Sequence, residues 1–288
     1  MTTGQLVCGR RALRFGERTL VMGVLNVTPD SFSGDGLLTG PGWLDRVVEL
    51  GRRMVQEGAD LLDVGGESTR PGADPVPLDE ELRRVVPAVE ALRAAVEVPI
   101  SVDTTKAEVA RRALRAGADL VNDISALRFD PEMARVVAEA GCGVVLMHMK
   151  GTPKDMQADP RYEDVVAEVR EFLAERLRWA EQQGISRDRV VLDPGFGFGK
   201  RPEHNLALVR NLRVFRELGC PVLLGPSRKS TIGVVLGGLP PADRVEGTAA
   251  VVALAVAYGV DVVRVHDVRV MARVARMADA VVRGWKPR

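Results

Sequence analysis

"EGADLLDV" (57–64), "AGADLVND" (116–123) and "YGVDVVRV" (258–265) are three copies of one local plan. In each, a glycine follows an amphipathic stretch, an aspartate comes two residues later, and a short apolar run follows. A glycine in that place ends a helix, and an apolar run of four or five residues that begins at once reads as a buried strand. The same kind of run recurs along the chain. Strands are predicted at 21–27, 61–65, 100–103, 120–124, 143–148, 190–194, 222–226 and 262–266. Helices are predicted between them, among others over 79–95, 105–116, 162–183, 203–218 and 267–283. Asp79, and Thr104 or Thr105, are candidate N-caps for the helices that follow them.

Eight near-continuous apolar strands alternating with helices predict an α/β fold, a single (β/α)8 TIM barrel. An open doubly wound sheet would favour a Gly-x-Gly-x-x-Gly turn after the first strand, and none follows residue 27. Residues 5–20 read as a short N-terminal hairpin ahead of the barrel, closing its bottom. The whole chain, 1–288, is expected to form one domain.

Composition narrows the function classes. At 46% hydrophobic and 27% charged residues, the chain can build a large core under a water-compatible surface. A net charge of +1 provides no electrostatic footprint for nucleic acid or an anionic membrane. No apolar stretch reaches spanning length, and the N-terminus lacks a signal-peptide core. Cys8, Cys142 and Cys220 share no metal-like spacing, so a reducing, cytoplasmic location is expected. Only six of 40 basic residues are lysine, so a lysine marks a place where arginine did not serve.

In such barrels chemistry sits at the carboxyl ends of the strands. Here those ends carry Asn26, Asp63, Asp103, Asn122, Asp123, His148, Asp193 and His266, with Arg264 two residues before His266 and facing the same way. Single carboxylates in such places often only cap helices, but so many on one rim describe a polar ring. Five of the six lysines (Lys106, Lys150, Lys154, Lys200, Lys229) follow strands on that rim. "DVGGESTRPGA" (63–73) offers backbone N–H groups and Arg70 to an anion. "DPGFGFGK" (193–200) lets the backbone approach a ligand closely, and "GPSRKSTIG" (225–233) follows the seventh strand, where barrels often bind phosphate. No Ser-His-Asp order, HExxH or C-x-x-C appears, which excludes the usual hydrolase triad and zinc sites. Asp103, Asn122 and Asp193 suit instead a flat heterocycle rich in N–H donors.

Taken together, "NVTPDSFS" (26–33), "GGESTRPGA" (65–73), "VND" (121–123), "MHMKGTPKDMQ" (147–157), "DPGFGFGK" (193–200), "GPSRKS" (225–230) and "RVH" (264–266) resemble the dihydropteroate synthase family over essentially the whole chain. The resemblance implies condensation of 6-hydroxymethyl-7,8-dihydropterin diphosphate with 4-aminobenzoate, with release of diphosphate, in folate biosynthesis. It also implies sulfonamide binding, a Mg2+ cofactor and a homodimer. Transferred position by position, it implies a pterin site of Asp103, Asn122, Met147, Asp193, Phe198, Gly225 and Lys229. Asn26, Arg264 and His266 would hold diphosphate, Asn26 also touching Mg2+. Phe32, Thr69, Arg70, Pro71 and Ser230 would line the aminobenzoate side. Asn26, Lys229, Arg264 and His266 are the catalytic candidates. The family loop usually reads Ser-Asp-Gly-Gly after the phenylalanine, whereas this chain has Ser33-Gly34-Asp35-Gly36, so no role passes to Asp35. A folate-binding methyltransferase would need neither "NVTPDSF" nor "GPSRKS". A non-catalytic pterin-binding barrel would need no leaving-group site.

Overall fold

The computed structural model describes residues 4–8, 11–28 and 40–285. Strands β1 (Gly4–Cys8) and β2 (Arg11–Phe15) pair antiparallel. Eight parallel strands follow: β3 (Leu20–Asn26), β4 (Leu61–Gly65), β5 (Ile100–Asp103), β6 (Leu120–Asp123), β7 (Gly143–Met147), β8 (Val190–Asp193), β9 (Leu223–Leu224) and β10 (Val262–Val265). Their order is β8-β7-β6-β5-β4-β3-β10-β9. A bridge between Leu192 and Val222, with Leu192 N–H donating to the Pro221 carbonyl at 2.9 Å, joins the two ends into a (β/α)8 barrel. Strand β9 is short because Pro221 and Pro226 bracket it and can donate no ladder hydrogen bond.

The helices are α1 (Trp43–Glu57), α2 (Leu78–Ala95), α3 (Ala107–Ala116), α4 (Met133–Ala140), α5 (Val165–Gln182), α6 (Pro202–Arg210), α7 (Leu212–Arg216), α8 (Ser230–Val235), α9 (Val245–Ala257) and α10 (Val268–Arg283). The single helix expected over 203–218 is two. Asn211 breaks it, its side-chain amide donating to the Ala207 carbonyl at 2.8 Å in competition with the backbone. The expected caps also differ. Asp79 lies within the first turn of α2, where Pro77 precedes the helix. The first amide of α3 donates to the Asp130 carboxylate from another loop, at 2.8 Å, while Thr104 accepts from Lys106 N.

The three repeats share one job. Their glycines, Gly58, Gly117 and Gly259, take positive φ at the helix ends. Their aspartates each accept the backbone N–H that opens a neighbouring strand: Val21 to Asp60, Ile100 to Asp119, and Val222 to Asp261, at 2.9–3.0 Å. Each carboxylate also meets arginine, Arg18, Arg11 with Arg93, and Arg216 respectively. The repeat is a strand-start clasp at the barrel floor.

Strand periodicity then sorts the interior by height. Outward residues such as Val21, Leu25, Val64, Val102, Val144 and Val263 pack under the helices in the main core. Inward residues near the strand starts (Leu20, Met22, Leu61, Leu120, Val145, Val191, Leu223, Val262) meet Leu6, Cys8, Leu13 and Phe15 of the hairpin, which plugs the floor. Higher inward positions are mostly polar, Asp63, Asp103, Asn122, Asp193, Arg264 and, above Val24, Asn26, with Met147 an apolar exception. An apolar plug below thus lies under a largely polar layer. Among the described residues no helix is long and apolar enough to cross a membrane.

Candidate active site

A cavity of about 410 Å3 opens at the carboxyl ends of the strands. Val24 and Asn26 form one wall; Asp103, Arg264 and His266 the base and far side; and Thr69, Arg70, Pro71 and Ser230 the mouth. Gly225 and Lys229 also line it. Phe32 lies outside the described residues.

Arg264 organises the base. Its Nε donates to Asp63 Oδ2 at 2.6 Å and its Nη2 to Asp103 Oδ2 at 2.7 Å. Asp63 Oδ2 also accepts from Asn122 Nδ2 at 3.1 Å, so β4, β5, β6 and β10 are tied through one guanidinium. Burial works against the charge on Arg264, but the two carboxylates outweigh it and raise its pKa. Burial pushes the Asp103 carboxyl well above the usual range, against the pull of Arg264 and helped by Asp63. Asp103 Oδ1 is buried and has no hydrogen-bond partner among the described residues. A buried carboxylate oxygen left so, at the base of a cavity, is suited to accept from a ligand N–H.

The other pterin candidates, Asn122, Met147, Asp193 and Phe198, do not themselves line this cavity but adjoin residues that do. Asn122 is the register partner of Asp103, and Asp193 that of Met147. Asp193 Oδ1 accepts from Gly195 N at 2.7 Å. Burial raises its pKa to about 6, opposed by that hydrogen bond and by Lys200 and Lys229. Met147 and Phe198 form an apolar patch with Ile124, Met149 and Met156. Lys229 Nζ stands 4.0 Å from the Phe198 ring centroid. Burial, then Arg264, lower the Lys229 pKa to about 8, while Asp193 and Asp103 oppose.

On the far side, Ser227 was not a candidate in the sequence reading, although it lies within "GPSRKS". Its Oγ accepts from His266 N at 3.2 Å and lies 2.9 Å from His266 Nδ1. In the tautomer where the hydroxyl donates to Nδ1, the imidazole proton is on Nε2 and that atom is the N–H donor; in the other, Nδ1 donates to Oγ. Arg228, also missed, takes φ +58° and makes a two-point ion pair with Asp267, tying the β9–α8 loop to the start of α10. Lys200 is buried under the 193–200 loop. Its Nζ meets His148 Nδ1 at 2.9 Å, Gly195 O at 3.0 Å and Phe198 O at 2.9 Å. Burial, then Lys200, hold His148 well below the ordinary imidazole pKa, so it is neutral and Nδ1 can accept from Lys200, whose own pKa burial lowers to about 7. Asp123 faces outward and caps the turn after β6, accepting from Ser125 N and Leu127 N.

Among the described residues no group of three or more His, Cys, Asp or Glu could hold a metal ion. Asn26 offers one amide oxygen at the rim. One protein oxygen fits a Mg2+ that arrives on substrate phosphates, because Mg2+ dehydrates reluctantly and keeps most of its waters.

The family described as pterin binding enzyme matches residues 22–266. A dihydropteroate synthase of Synechocystis is 47% identical over 278 residues, spanning 96% of this chain and 95% of that protein. The Yersinia pestis dihydropteroate synthase, crystallised in a sulfonamide drug complex, superposes with a TM-score of 0.91 at 42% identity, covering 96% of this chain and 98% of that one. The Xanthomonas albilineans enzyme with 4-aminobenzoic acid gives 0.88 at 46% identity, covering 97% and 98%.

Proposed function

We propose a division of labour within this site from one premise: the chain belongs to the dihydropteroate synthases among the pterin-binding enzymes. It is a transferase that joins 6-hydroxymethyl-7,8-dihydropterin diphosphate to 4-aminobenzoate, giving 7,8-dihydropteroate and diphosphate. The assignment of its residues to steps is ours.

The pterin enters flat above the plug. Asp193 and Asp103 accept its N–H groups, Asn122 is held square by Asp63, and Lys229 covers one edge beside Phe198. The partnerless Asp103 Oδ1 is the observation that carries this reading: of the four buried atoms left so among the described residues, it alone belongs to a residue that lines the cavity, where a ligand N–H can satisfy it. Nε and Nη2 of Arg264 are committed to carboxylates, which leaves Nη1 as the edge that can meet the diphosphate together with His266 Nε2. As the methylene C–O bond breaks, negative charge grows on diphosphate oxygens beside these fixed donors. Asn26 would hold Mg2+ on the same diphosphate, and the cation supplies further charge stabilisation there when bound. The dihydropterin ring shares the positive charge left on the methylene carbon. The aromatic amine, neutral at pH 7, attacks that carbon from the mouth and then loses a proton to solvent or to the released diphosphate. No strong general base is required, which accounts for a site without a triad.

Thr69, Arg70, Pro71 and Ser230 form the aminobenzoate side, with Arg70 facing its carboxylate; Phe32 is assigned there from the family motif. A homodimer is part of the proposal. Val270, Met277 and Val281 form one exposed apolar stripe along α10, with Trp285 beyond it, of the kind a subunit contact covers. Three free, buried cysteines support a cytoplasmic location. The test is diphosphate release with both substrates. Release that requires aminobenzoate and Mg2+ is expected; release unaffected by omitting either would refute the assignment.

A further inference from the structure

Three lysines of the rim, Lys106, Lys150 and Lys154, have no part in the chemistry above, and Lys106 is the most enclosed of them. The loop from β4 to α2 spans residues 66–77 without regular structure, yet it carries Thr69, Arg70 and Pro71 to the mouth of the cavity. Twelve such residues cost much conformational entropy to hold in one arrangement, so their anchors matter. One carboxylate oxygen, Glu67 Oε2, accepts from Val76 N at 2.7 Å and from Lys106 Nζ at 2.6 Å, so it closes both ends of the loop on one point. Lys106 Nζ also donates to Glu81 Oε2 at 2.5 Å. Glu81 is fully buried on α2, and its other oxygen accepts from Thr104 Oγ1 at 2.6 Å. Arg84, one turn along α2, donates to the Gly66 carbonyl at 2.9 Å.

We propose that Lys106, bridging Glu67 and the buried Glu81, is a positioning residue for aminobenzoate: it clamps the β4–α2 loop so that Thr69, Arg70 and Pro71 form a ready wall. The clamp is built from rigid parts, a helix residue on one side and the loop before α3 on the other. Burial disfavours the ammonium, but its hydrogen bonds to the two glutamates outweigh this and raise its pKa, so the clamp is charged throughout the working range. The far side of the loop is held more weakly. Gly72 N donates to the Pro153 carbonyl at 2.9 Å, and Lys154 pairs with Asp74 in full exposure. Loss of the Glu67 clasp therefore removes the contact that joins the two ends of the loop, although Arg84 still holds Gly66 and the exposed contacts at Gly72 and Asp74 remain.

The proposal rests on the aminobenzoate assignment of this loop, so the experiment includes a variant that tests that assignment separately. Steady-state KM for each substrate is measured for Glu67→Ala, Glu67→Gln, Lys106→Met and Arg70→Ala. Glu67→Ala keeps the Lys106–Glu81 pair, so the fold is preserved. Glu67 lines the cavity and Lys106 does not, so Lys106→Met is the deciding variant, because its effect cannot come from touching substrate. The expected result is a KM for 4-aminobenzoate raised about tenfold or more in Glu67→Ala and Lys106→Met, since small misplacements of positioning groups cost that much or more. The KM for pterin diphosphate should stay within about twofold in both, and Glu67→Gln, which keeps an acceptor oxygen, should recover most of the loss. If Arg70→Ala raises the aminobenzoate KM and Lys106→Met does not, the clamp is wrong while the loop assignment stands. If none of the four raises it, both are wrong.

Discussion

Replacing Arg264 by methionine removes a group that Asp63 and Asp103 share, and the consequences follow from its two hydrogen bonds of 2.6 and 2.7 Å. The side chain is 20% exposed and Asp63 not at all, so the pair lies largely out of water. Breaking a buried ion pair by removing one partner costs about 3–5 kcal/mol. Two hydrogen bonds to charged groups, at about 1.5–3 kcal/mol each, bracket the same range. For a chain of this size that is a melting temperature lower by on the order of 10 °C. The chemistry should suffer separately. Loss of a donor to the leaving diphosphate is expected to lower turnover by about 10²–10³-fold. Pterin affinity should fall too, because Asp103, already pushed up by burial, loses the cation that helps keep it ionised. The double variant Asp63→Asn, Arg264→Met separates the two effects. With the deeper carboxylate neutralised, it should regain much of the stability but none of the turnover. Thermal unfolding and diphosphate release at saturating substrates are the assays. A single variant with wild-type stability, or a double variant that regains turnover together with stability, would refute this account.

Pterin-analogue affinity should rise through about pH 6 to 7, as first Asp193 and then Asp103 lose the protons that stop them accepting from a ring N–H, and fall above about 8, where Lys229 loses its charge. In Lys229→Met the alkaline fall that belongs to the protein should vanish; an unchanged fall in calorimetric titration would assign it to the ligand instead. Lys200→Met should raise the pterin KM by roughly 10-fold, since it frees the carbonyls of Gly195 and Phe198 that shape the loop beside Asp193, each unpaired buried group costing about 1–3 kcal/mol. A normal pterin KM in that variant would reduce Lys200 to a dispensable contact.

Strand phase and strand ends were legible in the sequence because both depend on near neighbours. A run such as Leu20 to Asn26 alternates faces whatever it pairs with, so its inward set (Leu20, Met22, Val24, Asn26) follows from periodicity, and the glycine that closes each helix is a local backbone requirement. The repeated aspartates were visible as a repeat, but their use as clasps was not, because the N–H they accept belongs to a neighbouring strand. Asn211 broke a helix for a local reason that the apolar pattern masks. The partnerships inside the site lay beyond any such reading. Arg264 meets Asp63 and Asp103 across 201 and 161 residues, His266 meets Ser227 across 39, and Lys106 meets Glu67 and Glu81 across 39 and 25. Residue types at strand ends are a property of the chain. Which of them neutralise one another, and which oxygen is left without a partner for a ligand, is decided only when barrel closure sets the strands side by side over an apolar plug that leaves their polar tips one place to go.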